Sequence, residues 1–130
     1  MARTSSLRRE PAFSSDVAVC SSHGRPVDLV HLSHQTMGDT GLEREILGLL
    51  ARQISTFAGR LDSATPTERG RVAHALKGAA LNVGAFLLAR SAESLEHAPA
   101  CPDALAGFER DLAVTGAFIA DILRDPSTAH

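Results

Sequence analysis

Residues 65–85 constrain the fold more than any other stretch. Thr65-Pro66-Thr67-Glu68 supplies an N-cap hydroxyl, a proline at the first helical position and a glutamate three residues on to close a capping box. Apolar residues then recur at Val72, Leu76, Ala79 and Val83, in steps of four, three and four that mark one face of an α-helix. Alanine and leucine abound along the chain and β-branched residues are sparse, which favours an all-helical fold.

The rest of the chain is organised on either side of that helix. Residues 27–37 read as a short first helix ended by Gly38. Thr40-Gly41-Leu42-Glu43 reads as a second capping box, opening a helix to about residue 62 with Leu42, Ile46, Leu49, Leu50, Phe57 and Leu61 inward. Gln53 falls within that stripe, either approaching the neighbouring helix or lying at a wet groove edge. Residues 86–97 form the next helix, with Leu88, Ala92 and Leu95 inward and Glu93 and Glu96 outward. A loop with two prolines leads to a last helix over 103–124, with Leu105, Phe108, Leu112, Ile119 and Ile122 inward, stopped by Asp125-Pro126. Short loops between such helices imply an antiparallel up-down four-helix bundle with the short additional N-terminal helix across it. The expected organisation is a flexible tail over 1–26, rich in Ser and Arg, a bundle over 27–125 and a C-terminal tail over 126–130.

At about 100° per residue, His74 points away from the apolar stripe of its helix. Its neighbours on the outer face are Gly70 one turn before, Lys77 and Gly78 one turn after, and Leu81 two turns after. Neutral imidazole is a good nucleophile, and an ordinary histidine is mostly neutral at pH 7. Lys77 is placed to neutralise a phosphoryl oxygen as a point charge. A glycine inside a helix costs roughly 1 kcal/mol relative to alanine, and clearance for a bulky partner is a physical reason to accept that cost at Gly78. Leu81 offers an exposed apolar contact. Phe86 falls nearly opposite Leu88, either exposed near a docking surface or packed at the end of its helix. Together these residues describe a phosphoryl acceptor on a helix that docks onto another protein.

His74-Ala75-Leu76-Lys77-Gly78-Ala79-Ala80, followed by Gly84-Ala85, resembles the signature of histidine-containing phosphotransfer (Hpt) domains. The motif covers about a dozen positions, and the helical pattern extends the likeness to residues 27–124. The resemblance implies a four-helix bundle that shuttles phosphoryl groups between receiver-domain aspartates in multistep phosphorelays. It further implies His74 as phosphoacceptor, Lys77 as charge-stabilising residue and Gly78 as clearance residue. The implied partners are response-regulator receiver domains and an upstream hybrid histidine kinase. No cofactor of the chain's own is implied, because the receiver supplies the acidic pocket and Mg²⁺. Two other readings compete: an interaction module that binds a receiver or kinase without relaying phosphate, and a hydrolytic role with His74 as general base. Intact His74 and Lys77 argue against the first; a convex helix face with no nucleophile argues against the second.

Composition removes further classes. A formal charge of −2 and a pI near 6.3 do not suit a strongly basic nucleic-acid binder. There is no Trp or Tyr on which bases would stack. No apolar run approaches the roughly 20 residues needed to span a bilayer, and no apolar segment follows the N-terminal arginines, so neither a membrane span nor a signal peptide is expected. Cys20 and Cys101 do not make a disulfide framework, which fits a reduced cytoplasmic setting. Cys20-x2-His23 and His31-x2-His34 superficially resemble a zinc pattern, but the spacing is poor for a structural site and no metal is expected. The chain has no P-loop or kinase-type glycine-rich loop, so it is not expected to act as an autonomous kinase. One bundle with no obvious dimer seam is expected to be a monomer.

Overall fold

A computed structural model describes residues 25–124. Most of the expected tails lie outside those residues, as do Cys20 and His23. Five helices follow in order: α1 (Leu29–Gln35), α2 (Thr40–Ala58), α3 (Pro66–Val83), α4 (Phe86–His97) and α5 (Pro102–Arg124), with no strand among the described residues. The expected boundary of α4 is the observed one. Helix α2 stops at Ala58, four residues short of the expected end, and Leu61 is buried in the turn that follows.

The start of α3 is built as its sequence requires. The Thr65 hydroxyl accepts from the Glu68 amide at 3.1 Å and the Glu68 carboxylate accepts from the Thr65 amide at 2.9 Å. Such a cap contributes about 1 kcal/mol. The expected box on α2 does not form. Asp39 is the N-cap, its carboxylate accepting from the Leu42 amide at 3.1 Å, and Glu43 instead accepts from the Thr36 hydroxyl at 3.1 Å. A carboxylate one residue earlier takes the capping position, and Thr40 becomes the first helical residue.

Helix α3 ends at Gly84, whose φ of 87° is left-handed and whose amide caps the last turn. A Cβ at this position would stand 2.9 Å from the Asp28 carbonyl oxygen. The Asp28 amide donates to the Gly84 carbonyl at 2.9 Å, so the backbone just ahead of α1 is seated on the turn between α3 and α4.

Helices α2 and α4 each pack against both α3 and α5, which encloses one core. Leu50, Leu76, Leu88, Leu95, Phe108, Leu112 and Ile119 are almost fully buried there. Truncating a residue such as Phe108 to alanine costs about 3–5 kcal/mol. Side chains tie opposite ends together. Arg44, near the start of α2, donates to the carbonyls of Ile122, at 3.2 Å, and of Leu123 at the end of α5. Arg69, near the start of α3, donates to Leu61 O at 2.9 Å, Asp62 O at 3.1 Å and Pro99 O at 3.4 Å.

Two inward faces differ from expectation. On α2 the buried residues are Leu47, Leu50 and Ile54, while Leu42 and Leu49 are exposed. Gln53 is half-buried and makes no side-chain hydrogen bond among the described residues. On α3 the buried residues are Ala73, Leu76, Ala80 and Val83, with Val72 and Ala79 half-buried at the edge of the stripe. Helix α3 packs most extensively against α4, small alanines at 73 and 80 suit such close packing, and the larger Val72 lines the groove at the end of α2.

Candidate functional site

The His74 side chain stands clear of the core, 71% exposed at the middle of α3. One of its ring nitrogens is held. His74 Nδ1 lies 2.7 Å from Glu96 Oε2, near the end of α4. A carboxylate only accepts, so Nδ1 carries a hydrogen, and in the neutral ring the lone pair is then on Nε2. Among the described residues Nε2 has no partner.

The same carboxylate engages the neighbouring cation. Lys77 Nζ lies 3.0 Å from Glu96 Oε1. That distance makes a charge-assisted contact between the ammonium and the carboxylate. Lys77 and Glu96 are 25% and 28% exposed, so the pair sits at the wall of the site and not in the core. Lys77 first, and His74 second, hold the Glu96 carboxyl below its ordinary value, with partial burial opposing them. Glu96 is therefore the ionised acceptor that the tautomer argument requires.

Sequence reading placed Glu96 outward; it is half-buried and faces His74. The missed signal was the hairpin. Helices α3 and α4 are joined only by Gly84 and Ala85, so residues about equally far from that turn lie side by side. His74 and Glu96 satisfy that condition to within a residue.

The remaining site residues fall on two sides of the imidazole. At Gly78, and likewise at Gly70, a Cβ would meet nothing within 4 Å, so the glycines bracket His74 with open space. Leu81, Phe86 and Lys77 are brought together in a shallow groove of about 230 Å³ between α3 and α4, which Gly70 does not line. Leu81 is 46% and Phe86 41% exposed. Phe86 is the first residue of α4, and its ring meets His31 edge-on at 5.2 Å between centroids, so it is exposed and packed against α1 at once. His31 thus serves as a packing contact, and no group of three metal-binding side chains occurs among the described residues.

The described residues form an all-helical bundle that presents one oriented, exposed histidine beside a lysine and a glycine. The Hpt domain family model matches residues 43–121, more than half of the chain, and the chain belongs to that family. Hpt domains act in phosphorelay signalling and generally interact with receiver domains and histidine kinases, which places this chain in that form of signalling. No curated protein and no solved structure matches the chain. No helix among the described residues is long and apolar enough to cross a membrane.

Proposed function

We propose that the protein relays a phosphoryl group between receiver-domain aspartates through a phosphohistidine at His74 Nε2. The observation that carries this reading is the 2.7 Å contact between His74 Nδ1 and Glu96, with Nε2 unpartnered on an exposed ring. The Nε2 lone pair attacks the phosphorus of an aspartyl phosphate. The N–P bond forms as the P–O bond to the aspartate breaks, and that electron pair returns to the leaving carboxylate. The transition state for such a transfer is loose and in line, so positioning and charge neutralisation carry the catalysis. Attack leaves the ring cationic, and the ionised Glu96 carboxylate stabilises that charge through the Nδ1 hydrogen. Transfer to the second receiver is the reverse sequence.

Lys77 neutralises the phosphoryl oxygens in this scheme. Its ammonium, 3.0 Å from Glu96, sits on a flexible stem that lets it turn toward a phosphoryl group on His74. Gly78 leaves room for the incoming receiver, and Leu81 and Phe86 form the apolar contact beside it. The chain needs no cofactor of its own, since Mg²⁺ belongs to the receiver. The test is incubation with a phosphorylated receiver. Wild type should acquire an acid-labile, alkali-stable label, and His74→Gln should fold normally and acquire none. A His74→Gln variant labelled at the wild-type level would remove the assignment.

A further inference from the structure

His74 stands on α3 between two grooves, one toward α4 and one toward α2. On the α4 side Lys77 is paired with Glu96, and the exposed Arg90 stands along the groove near Glu93. On the α2 side a groove of about 340 Å³ runs where α2 ends and α3 begins. Phe57, Leu61 and Val72 give it an apolar lining, and Arg60, Arg71 and Glu68 stand along it. Neither arginine has a carboxylate partner among the described residues: the Arg60 guanidinium lies over the Phe57 ring, 5.6 Å from its centroid, and Arg71 is exposed. The Glu68 carboxylate is committed to the Thr65 amide in the helix cap. Two guanidiniums thus stand with one carboxylate, which leaves the groove a net positive charge above an apolar floor.

Arg71 connects this groove to the reactive ring. It precedes His74 by three residues, about 4.5 Å along the helix axis and on an adjoining face. A protein that covers His74 with an interface of ordinary size buries roughly 800 Å² on each partner. A patch of that size extends well beyond one helical turn from its centre, so it covers Arg71 too. Burying a guanidinium without a counter-charge is costly, and its planar fork matches a carboxylate.

We propose that the α2-side groove is a second docking site for the protein that exchanges phosphoryl groups with His74, and that it takes an acidic side chain flanked by apolar residues. The inference rests on the phosphotransfer reading and adds what selects the partner. Arg60 and Arg71 recognise the carboxylate, and Phe57, Leu61 and Val72 receive its apolar neighbours.

The experiment measures phosphoryl transfer to the full chain from each phosphorylated receiver domain of its host, at low and high salt. It compares wild type with Arg60→Ala/Arg71→Ala and with Arg60→Lys/Arg71→Lys; thermal unfolding checks that each variant is folded. For the receiver that serves wild type best, the alanine variant should lose roughly ten-fold in kcat/KM at low ionic strength. The loss should lie in KM with kcat retained, and it should shrink near 1 M salt, where screening acts over about 3 Å. The lysine variant, which keeps the charge but not the planar fork, should fall between wild type and the alanine variant. An alanine variant that matches wild type at low salt overturns the groove while leaving the phosphotransfer reading intact. A loss confined to kcat also overturns it, because docking alone does not change the chemical step. Wild type that accepts label from no receiver overturns the phosphotransfer reading and this inference together.

Discussion

Replacing Gly78 separates clearance for a partner from ordinary helix chemistry, because the two have opposite signs. A Cβ at Gly78 would meet nothing within 4 Å, so alanine introduces no clash. The expected gain is then the full propensity difference, about 1 kcal/mol. For a domain near 100 residues that raises Tm by about 4–8 °C, readable by far-UV circular dichroism. Transfer should move the other way. Alanine fills part of the space beside the imidazole and should slow label uptake from a receiver modestly. Glutamine projects further along the i+4 position and should slow it much more. A small phosphodonor such as phosphoramidate needs no docking surface, so the variants should label with it as wild type does. A Gly78→Gln variant that takes phosphate from its receiver as fast as wild type refutes the clearance argument. A fall in Tm for Gly78→Ala would refute the helix part of the reasoning independently.

Gly84→Ala should behave as the opposite glycine: its φ of 87° and the Asp28 oxygen 2.9 Å from a new Cβ should cost at least about 1–2 kcal/mol, seen as a lower Tm. Lys77→Ala should slow transfer about ten-fold, the low end for a charge-assisted contact partly in water, with little change in stability; unchanged transfer kinetics would make Lys77 a bystander. Glu96→Ala frees the imidazole tautomer and should lower the transfer rate, whereas Glu96→Gln keeps an acceptor for Nδ1 and should retain more of it; equal rates for the two would discount the orienting role. Because the folded-state carboxyl of Glu96 is held below its ordinary value, its stabilisation is present above the ordinary carboxylate range and is lost as pH falls through the lower folded value. Glu96→Gln should abolish that part of the acid-induced drop in Tm, as measured by melts across the acid range.

The parts of the molecule legible in the sequence were those set by local chemistry. The capping box at Thr65, the limits of α4 and the outward direction of His74 all follow from residues within a few positions of one another. The inward face of α2 was not legible in the same way. Leucines at 42, 47, 49 and 50 fit more than one face, and only packing against α3 and α5 selects Leu47, Leu50 and Ile54. On α3, alanines look too small to define a core face. Ala73 and Ala80 do so, both fully buried on the helix that packs most extensively against α4. Glu96 illustrates the limit most directly. A glutamate beside Leu95 on an amphipathic helix reads as a solvated residue until the second helix of the hairpin is laid against the first.

Arg69 has a consequence for how this sequence can drift. Its guanidinium binds three main-chain carbonyls, at Leu61, Asp62 and Pro99, drawn from the connections after α2 and after α4. Every residue type supplies a carbonyl, so the clamp does not depend on which side chains occupy those connections. Exposed positions there, Asp62 among them, are free to change, even to invert the local charge, without losing the clamp, whereas Leu61 is held by its own burial in the core. The tolerance is one-sided. Loss of Arg69 would strand acceptors in two connections at once, and no substitution at any single loop position would replace it.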